Sequence, residues 1–232
     1  MKHKPIGIIG GMGPYASAYF YRLLLQKSTE DYGAKNNDDY PEIVIDSVPV
    51  PDFISDTQKL PLAKSMVLDR AKKLVNFGCD VVGMACNTGH ILTQELDEAT
   101  SGRFVSMIDL VAAEVRERNY KRVGIMATPV TIKSRLYDTV LNKVGVKHIY
   151  PDKQAQKRHE EIVRDVIAGK NGPANATYLE AFTQQFIEQN KLDGIILGCT
   201  ELPLVFPKHT LKNIIDSMEV LADELLKQYY SQ

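Results

Sequence analysis

The sequence predicts an α/β protein of two similar lobes, each a short, mostly parallel sheet flanked by helices. Short apolar runs alternate with segments of helical periodicity, which is the pattern of strands joined by crossover helices. The order of these runs then repeats in the second half of the chain. Because ligands bind beyond the carboxyl ends of parallel strands, we expect a site in the cleft between the lobes.

Apolar runs in the first half predict strands with helices between them. The predicted strands span residues 5–10, 42–47, 81–85 and 104–108. One predicted helix follows Pro14, and two more span residues 62–77 and 88–98. Gly78 directly follows residue 77, and glycine at this position is typical of a helix end.

The second half repeats this order. Strands are predicted at residues 122–127, 146–150, 195–198 and 213–216, and helices at 156–168 and 174–190 on either side of a linker at 169–173. Cys199 lies 113 positions after Cys86 (199 less 86), and Asp193 lies 113 positions after Asp80 (193 less 80). Landmarks at one spacing indicate two related lobes. We expect one lobe at residues 1–112, joined by a C-terminal helix at 216–232, and the other at 113–215.

Composition and charge favour a small-molecule ligand. The chain has 232 residues, of which 44% are hydrophobic and 25% charged, and its net charge is −1. With no basic stripe and no apolar run near the roughly 18–20 residues of a membrane span, neither nucleic acid nor membrane is expected as a partner. The three cysteines form no C-x-x-C motif, and the N-terminus does not resemble a signal peptide. These features favour a reducing, cytoplasmic location.

Cys86 and Cys199 each follow an apolar run, at matching places in the two repeats. To move a proton off the α-carbon of an amino acid and return it on the other face requires one acid–base group on each face. A thiolate and a thiol fill these roles if the cysteine pKa is lowered, as a helix N-terminus does. Thr88 and Thr200 are expected to cap such helices, whose N–H groups would hold a carboxylate. The pattern predicts a cofactor-free amino-acid racemase.

The same motifs allow other interpretations, which the surrounding residues do not favour. A lone cysteine is often a small buried hydrophobe, which is the role we expect for Cys79. His90, four residues after Cys86, suggests zinc, but no further close-spaced ligand follows, so we predict no metal and expect His90 to cap or tune the site. Residues 11–16 fit the dinucleotide motif G-x-G-x-x-A, but Pro14 lacks an N–H to hold phosphate. A tight turn against a small substrate fits better.

Three motifs carry a family resemblance: Gly10-Gly11-Met12-Gly13-Pro14, Cys86-Asn87-Thr88 with His90, and Gly198-Cys199-Thr200-Glu201. They resemble those of the aspartate/glutamate racemase family, in its aspartate racemase branch. The resemblance extends over essentially the whole chain. It implies two α/β lobes with the site between them, no pyridoxal phosphate, a two-thiol mechanism and a homodimer.

The resemblance also implies roles for particular residues. Cys86 and Cys199 match the catalytic pair of the family. The asparagine and two threonines beside them match groups that hold the substrate's α-carboxylate or amine. The resemblance also implies two pocket-lining positions, the glutamate that follows the second cysteine and, by a looser match, a substrate-contacting lysine. The implied binding residues are therefore Met12, Asn87, Thr88, Thr128, Lys157, Thr200 and Glu201.

Phe53 departs from the family pattern. Aspartate racemases carry Pro-Asp-Arg where this chain has Pro51-Asp52-Phe53, and their arginine anchors the substrate's side-chain carboxylate. An aromatic ring forms no ion pair with a carboxylate. We expect a weaker preference for aspartate and some turnover of neutral or longer side chains, unless Lys157 or Arg135 reaches the same place. Relatives often have glycine at the position of Arg135, and a solvated helix lysine is the alternative for Lys157.

The expected activity is racemisation of aspartate, glutamate or both, with broadened specificity. The alternatives are a related one-thiol decarboxylase, a maleate-type isomerase, and an amino-acid-binding protein without turnover. Two motif-matched cysteines favour the racemase over these alternatives.

Overall fold

The structure is a computed structural model that describes residues 4–170, 172–206 and 213–231. Its strands are β1 (Ile6–Gly10), β2 (Ile43–Ser47), β3 (Val81–Met84), β4 (Arg122–Ala127), β5 (Lys147–Ile149), β6 (Gly194–Gly198) and β7 (Ile214–Asp216). Its α-helices are α1 (Pro14–Tyr32), α2 (Leu60–Phe77), α3 (Thr93–Thr100), α4 (Met107–Glu117), α5 (Pro129–Lys133), α6 (Leu136–Lys143), α7 (Lys153–Ile167), α8 (Pro173–Asn190) and α9 (Ser217–Tyr230). Short 3₁₀ helices span Asn37–Asp39, Thr88–Leu92 and Leu202–Leu204. Among the described helices, none is both long and apolar enough to cross a bilayer.

Two separate parallel sheets form the centres of two lobes. The first has the strand order β2-β1-β3 and the second β5-β4-β6-β7. Ile6 of β1 pairs with Ile43 and Val81, and every strand pairing in both sheets is parallel. Helices flank both sheets, as parallel connections require. The predicted fold class is confirmed.

The last helix of each half packs on the opposite lobe. Apolar residues of α9, among them Leu221 and Leu225, share a core with β1 and α1 of the first lobe. In the same way Val111 and Val115 of α4 share a core with β4 and β6 of the second lobe. Helices α4 and α9 also contact each other. This exchange fastens the two sheets together and leaves the carboxyl ends of their central strands around one cavity.

The predicted strand at residues 104–108 is wrong. Phe104 forms only an isolated parallel bridge to Val82, and α4 begins at Met107. The helix starts early because the Ser106 hydroxyl accepts a hydrogen bond from the backbone N–H of Asp109, which caps its first turn. The other predicted strands agree with the structure to within a few residues, and α5 and α6 fill a segment for which the pattern predicts no element.

Candidate active site

A cavity of about 190 Å³ lies between the lobes. The residues that follow strands β1, β3, β4 and β6 line its wall, so the carboxyl ends of these four strands point toward the cavity. Its volume is below the roughly 300–1,000 Å³ of sites for drug-sized ligands, and suits a single small metabolite. The predicted site residues that line it are Met12, Phe53, Cys86, Asn87, Thr88, Thr128, Cys199, Thr200 and Glu201.

Cys86 enters the cavity from the turn after β3. Its side chain is buried, and its sulfur accepts a hydrogen bond from the backbone N–H of Gly89 at 3.4 Å. Burial raises the pKa of this thiol to about 12, and the nearby charge of Glu201 adds to the rise. The backbone N–H groups of Gly89 and Thr88 oppose the shift but are outweighed.

His90 holds the backbone of the Cys86 turn. Its Nδ1–H donates to the Cys86 carbonyl at 2.8 Å, and its Nε2 accepts from the backbone N–H of Met107 at 3.0 Å. Both ring nitrogens are therefore used, and the imidazole is neutral. Burial lowers the pKa of His90 to about 4. Among the described residues no cluster of histidine, cysteine and acidic side chains fits a metal ion. The expected capping or tuning role fits this clamp.

Cys199 enters the same cavity from the turn after β6, beside a buried carboxylate. Its thiol donates to Glu201 Oε2 at 3.1 Å, and the Thr200 hydroxyl donates to the same oxygen at 3.1 Å. The other oxygen, Oε1, accepts the backbone N–H of Gly13 at 2.8 Å. Burial, together with the charge of Glu201, raises the pKa of Cys199 well above its ordinary value. Burial also raises the pKa of Glu201, against these three hydrogen bonds.

Asn87 is held by residues that are far from it in the sequence. Its Oδ1 accepts from the Tyr137 hydroxyl at 2.5 Å, and its Nδ2 donates to the Ser217 hydroxyl at 2.9 Å. Ser217 in turn donates to the carbonyl of Leu197 on β6. The amide is therefore fixed in one orientation by both lobes.

Three threonine hydroxyls form a buried cluster on the wall of the cavity. Thr88 shares hydrogen bonds with Thr128 at 2.9 Å and with Thr131 at 3.0 Å, and Thr128 donates to Thr131 at 3.0 Å. Thr88 and Thr128 line the cavity, so they offer neutral donors and acceptors to a bound molecule.

The family of this chain is shown by its similarity to known proteins. The family model of the Asp/Glu/Hydantoin racemases matches residues 9–225. The chain belongs to the Asp/Glu/Hydantoin racemase family. It is 30% identical over 230 residues to the broad-specificity amino-acid racemase RacX of Bacillus subtilis, and the match covers 97% of each chain.

Solved structures of this family have the same fold. An aspartate racemase homologue from Pyrococcus horikoshii superposes with a TM-score of 0.82 at 27% identity, covering 98% of this chain and 99% of the other. The aspartate racemase of Picrophilus torridus has a TM-score of 0.80 at 28% identity, with 97% and 94% covered. The predicted family and enzyme class, a racemase of the pyridoxal-phosphate-independent type, are confirmed by these similarities.

Two expectations about the turns that carry the cysteines of this racemase are wrong: that their thiol pKa values are lowered, and that Thr88 and Thr200 cap the helices that follow. The helix after each cysteine is a short 3₁₀ segment, and burial raises both thiol pKa values where a lowering was expected. Thr88 and Thr200 cap neither segment, because the residues at the cap positions are Asn87 and Glu201, without side-chain caps. The Thr88 hydroxyl is used by the threonine cluster and that of Thr200 by Glu201.

Lys157 does not reach the cavity of the racemase. It is exposed on α7 and absent from the cavity wall, whereas Arg164, two turns later on the same helix, lines the cavity. Residues seven apart share a helix face, so the sequence placed Arg164 on the same face as Lys157. It did not indicate which end of that face meets the cavity. Arg135 is also outside the cavity. It pairs with Asp138 and has a φ of 54°, a left-handed conformation that suits glycine.

The glycine loop after β1 forms the expected tight turn against the cavity of the racemase. Gly11 has a φ of 90°, and a Cβ there would lie 2.4 Å from the Val48 carbonyl oxygen. Its N–H donates to the Ser17 hydroxyl, and that of Gly13 donates to Glu201. Both amides therefore already have partners within the protein. Cys79 is absent from the cavity wall and lies in the core beneath the first sheet, as expected.

Proposed function

We propose that this enzyme racemises amino acids with Cys86 and Cys199 as its two acid–base groups. The observation that carries the proposal is that both thiols line one buried cavity, each at the end of a corresponding strand. One cysteine, as thiolate, takes the α-proton, and the electrons of the broken C–H bond move into the substrate's carboxylate. The opposite thiol then gives its proton to the other face of the α-carbon. One S–H bond forms and one breaks, so the site ends with its two protonation states exchanged.

The substrate's own charges complete this site. Burial raises both thiol pKa values, so an empty cavity holds neutral thiols. An amino acid brings an ammonium group, and a positive charge nearby favours the thiolate, so one thiol releases its proton to solvent as the substrate binds. We assign the α-carboxylate and ammonium to the polar wall formed by Asn87, Thr88 and Thr200, with Met12 and Thr128 beside it. Activation of the thiol is then coupled to substrate binding.

The specificity we propose is broad, with neutral side chains accepted beside aspartate and glutamate. Phe53 is only 3% exposed and lines the cavity, so the side-chain end of the substrate meets an aromatic ring. A site built around a buried arginine rejects neutral side chains, because its charge is left unpaired. This penalty is absent at Phe53. The broad-specificity racemase of Bacillus subtilis, similar over the whole chain, supports the same proposal.

We also propose a lobe division at residues 1–112 with 216–232, and 113–215, with α4 as the helix that runs across the first boundary. Catalysis is proposed to need no cofactor, in a cytoplasmic homodimer. Light scattering during size-exclusion chromatography measures the molar mass and so checks the proposed dimer. Activity retained after dialysis against a chelator checks the absence of a metal.

The proposed reaction is tested with three matched cysteine variants. Cys86→Ala and Cys199→Ala should each lower racemisation by at least about a hundredfold, since an acid–base group contributes roughly 10²–10⁴-fold. Cys79→Ala removes a thiol from the core outside the cavity and should leave the rate within about twofold. Circular dichroism of each L-amino acid in a panel gives the rates. Near-normal racemisation by either cavity variant would contradict the proposal.

A further inference from the structure

A loop of the first lobe crosses to the second lobe beside the cavity. This loop, residues 50–56 between β2 and α2, contributes Asp52 and Phe53 to the cavity wall. The carbonyl of Ile54 accepts a hydrogen bond from the backbone N–H of Val130 at the start of α5, at 3.1 Å. The Asp52 side chain pairs with Arg164 of α7. Both contacts join residues of different lobes.

The Asp52–Arg164 pair lies at the solvent end of the cavity. The side chains of Asp52 and Arg164 are 49% and 45% exposed, while Cys86 and Cys199 are 3% and 4% exposed. A substrate whose α-carbon lies between the thiols therefore extends its side chain past Phe53 toward this pair. Arg164 is the only cationic side chain among the described residues that line the cavity.

The acceptors of Arg164 lie at two ends of its guanidinium group, and Ser55 joins them because it also donates to Glu160. Its Nη1 and Nη2 each donate to Asp52 Oδ2 at 3.1 Å, and Nη2 also donates to the Ser55 hydroxyl. Its Nε donates to Glu160 Oε1 at 3.4 Å, and Glu160 is not part of the cavity wall. The terminal nitrogens, which match a carboxylate in geometry, are therefore occupied by Asp52.

We propose that the Asp52–Arg164 pair sets the selectivity between acidic and neutral substrates. A neutral side chain leaves the pair intact. An acidic side chain replaces Asp52 on the terminal nitrogens of Arg164, so it gains one ion pair only by breaking another. The inference rests on the proposed racemase activity. It adds the Asp52–Arg164 pair to Phe53 as a determinant of substrate specificity. Exposed ion pairs shift an equilibrium by only about 1.4- to fivefold, so the exchange is open to a substrate.

Two pairs of matched variants test this inference. Asp52→Asn keeps the Oδ1 that accepts the Ile54 N–H but removes the competing charge, while Glu160→Gln removes a charge from the other end of the same arginine. The ratio of kcat/KM for aspartate and glutamate to that for alanine and methionine should rise about two- to fivefold in Asp52→Asn and stay unchanged in Glu160→Gln.

Arg164→Gln should lower kcat/KM for the acidic substrates about two- to fivefold and leave that for the neutral substrates nearly unchanged, because one half-exposed ion pair is lost. Arg158→Gln is the control, since Arg158 is on the same helix but outside the cavity, bound to Glu161 and Asn175. Equal ratios in Asp52→Asn and Glu160→Gln, or an equal loss for both substrate classes in Arg164→Gln, would overturn the inference.

A binding measurement separates this inference from the proposed reaction. The rise in Tm on addition of each amino acid reports binding without turnover. If wild-type protein racemised none of the amino acids, the proposed function would fail. The ratio of aspartate to alanine binding in Asp52→Asn would still be expected to rise, and an unchanged ratio would reject the role of the pair.

Discussion

The Cys86 half of the site and the Cys199 half begin from the same geometry and differ in charge. Each cysteine follows a buried strand, β3 or β6, at the repeat spacing of 113 residues (199 less 86). Two positions further, the first half has Thr88 and the second has Glu201. Cys86 accepts a hydrogen bond from a backbone N–H, while Cys199 donates one to the Glu201 carboxylate. The repeat fixes where the sulfurs lie, and the residues after them fix which sulfur faces a carboxylate.

The two halves also differ in what supports the turn. His90 clamps the Cys86 turn, and the corresponding residue in the Cys199 half is Pro203. Proline restricts its own backbone without a titratable group, whereas a buried neutral histidine is sensitive to acid. Two similar lobes have thus stabilised equivalent turns by different means.

The largest expected effect is acid destabilisation of the Cys86 half. Burial lowers the pKa of His90 to about 4, from about 6.5 in the unfolded chain. Below pH 6.5 the unfolded chain binds a proton that the folded protein rejects, so stability present above pH 6.5 is lost as the pH falls to about 4. This histidine contributes about 3 kcal/mol to the loss. Urea unfolding between pH 7 and 4 measures it.

His90→Gln is the matched variant for this measurement. It removes the titrating group, so the fall in stability across this pH range should become shallower by about 3 kcal/mol. The pKa of His159, outside the site, is also lowered to about 4 by burial, and its share of the slope should remain. An unchanged slope in His90→Gln would show that His90 does not stay neutral in the folded protein.

The next effect concerns the charged half. Glu201→Gln removes the carboxylate whose charge adds to burial in raising the pKa of both thiols, and Cys199 also loses its charged acceptor. We expect both thiol pKa values to fall, and that of Cys199 to fall further because it loses both a nearby charge and a charged acceptor. Alkylation of each cysteine against pH, followed by peptide mass spectrometry, measures the shifts. An unchanged Cys199 profile would remove Glu201 from the account.

The smallest effect is expected at the corresponding position of the first half. Thr88→Val removes a neutral hydroxyl, and Thr128 and Thr131 remain bonded to each other. Stability should change by about 1 kcal/mol, and the alkylation profile of Cys86 should keep its midpoint. A shift as large as that of Glu201→Gln would mean that the two halves do not differ in charge control.

Much of the fold and the cavity wall was predictable because both depend on local pattern. Buried parallel strands followed by Cys86 and Cys199 carry a signal in periodicity, and the repeat adds the inference that the two strand ends meet. The strand predicted near Phe104 is wrong because an apolar run this short fits either structure, and the Ser106 cap decides for the helix.

The remaining features depend on packing between distant segments. Tyr137 and Ser217 hold Asn87 from elements that are far apart in the sequence, so no spacing indicates them. Arg164 was missed in favour of Lys157 because the two share a helix face, and only the packing of α7 decides which end of that face meets the cavity. The thiol pKa values follow from burial, which sequence pattern does not measure.

The central claim, one thiol on each face of the substrate, is tested most directly by hydrogen exchange in single-thiol variants. Each enantiomer of a substrate is incubated in D₂O with Cys86→Ala or Cys199→Ala, and deuterium at the α-carbon is followed by NMR. A single remaining base removes the proton and returns deuterium on its own face. We predict that one variant exchanges only the L-enantiomer and the other only the D-enantiomer, without racemisation. Exchange of the same enantiomer by both variants would contradict the claim.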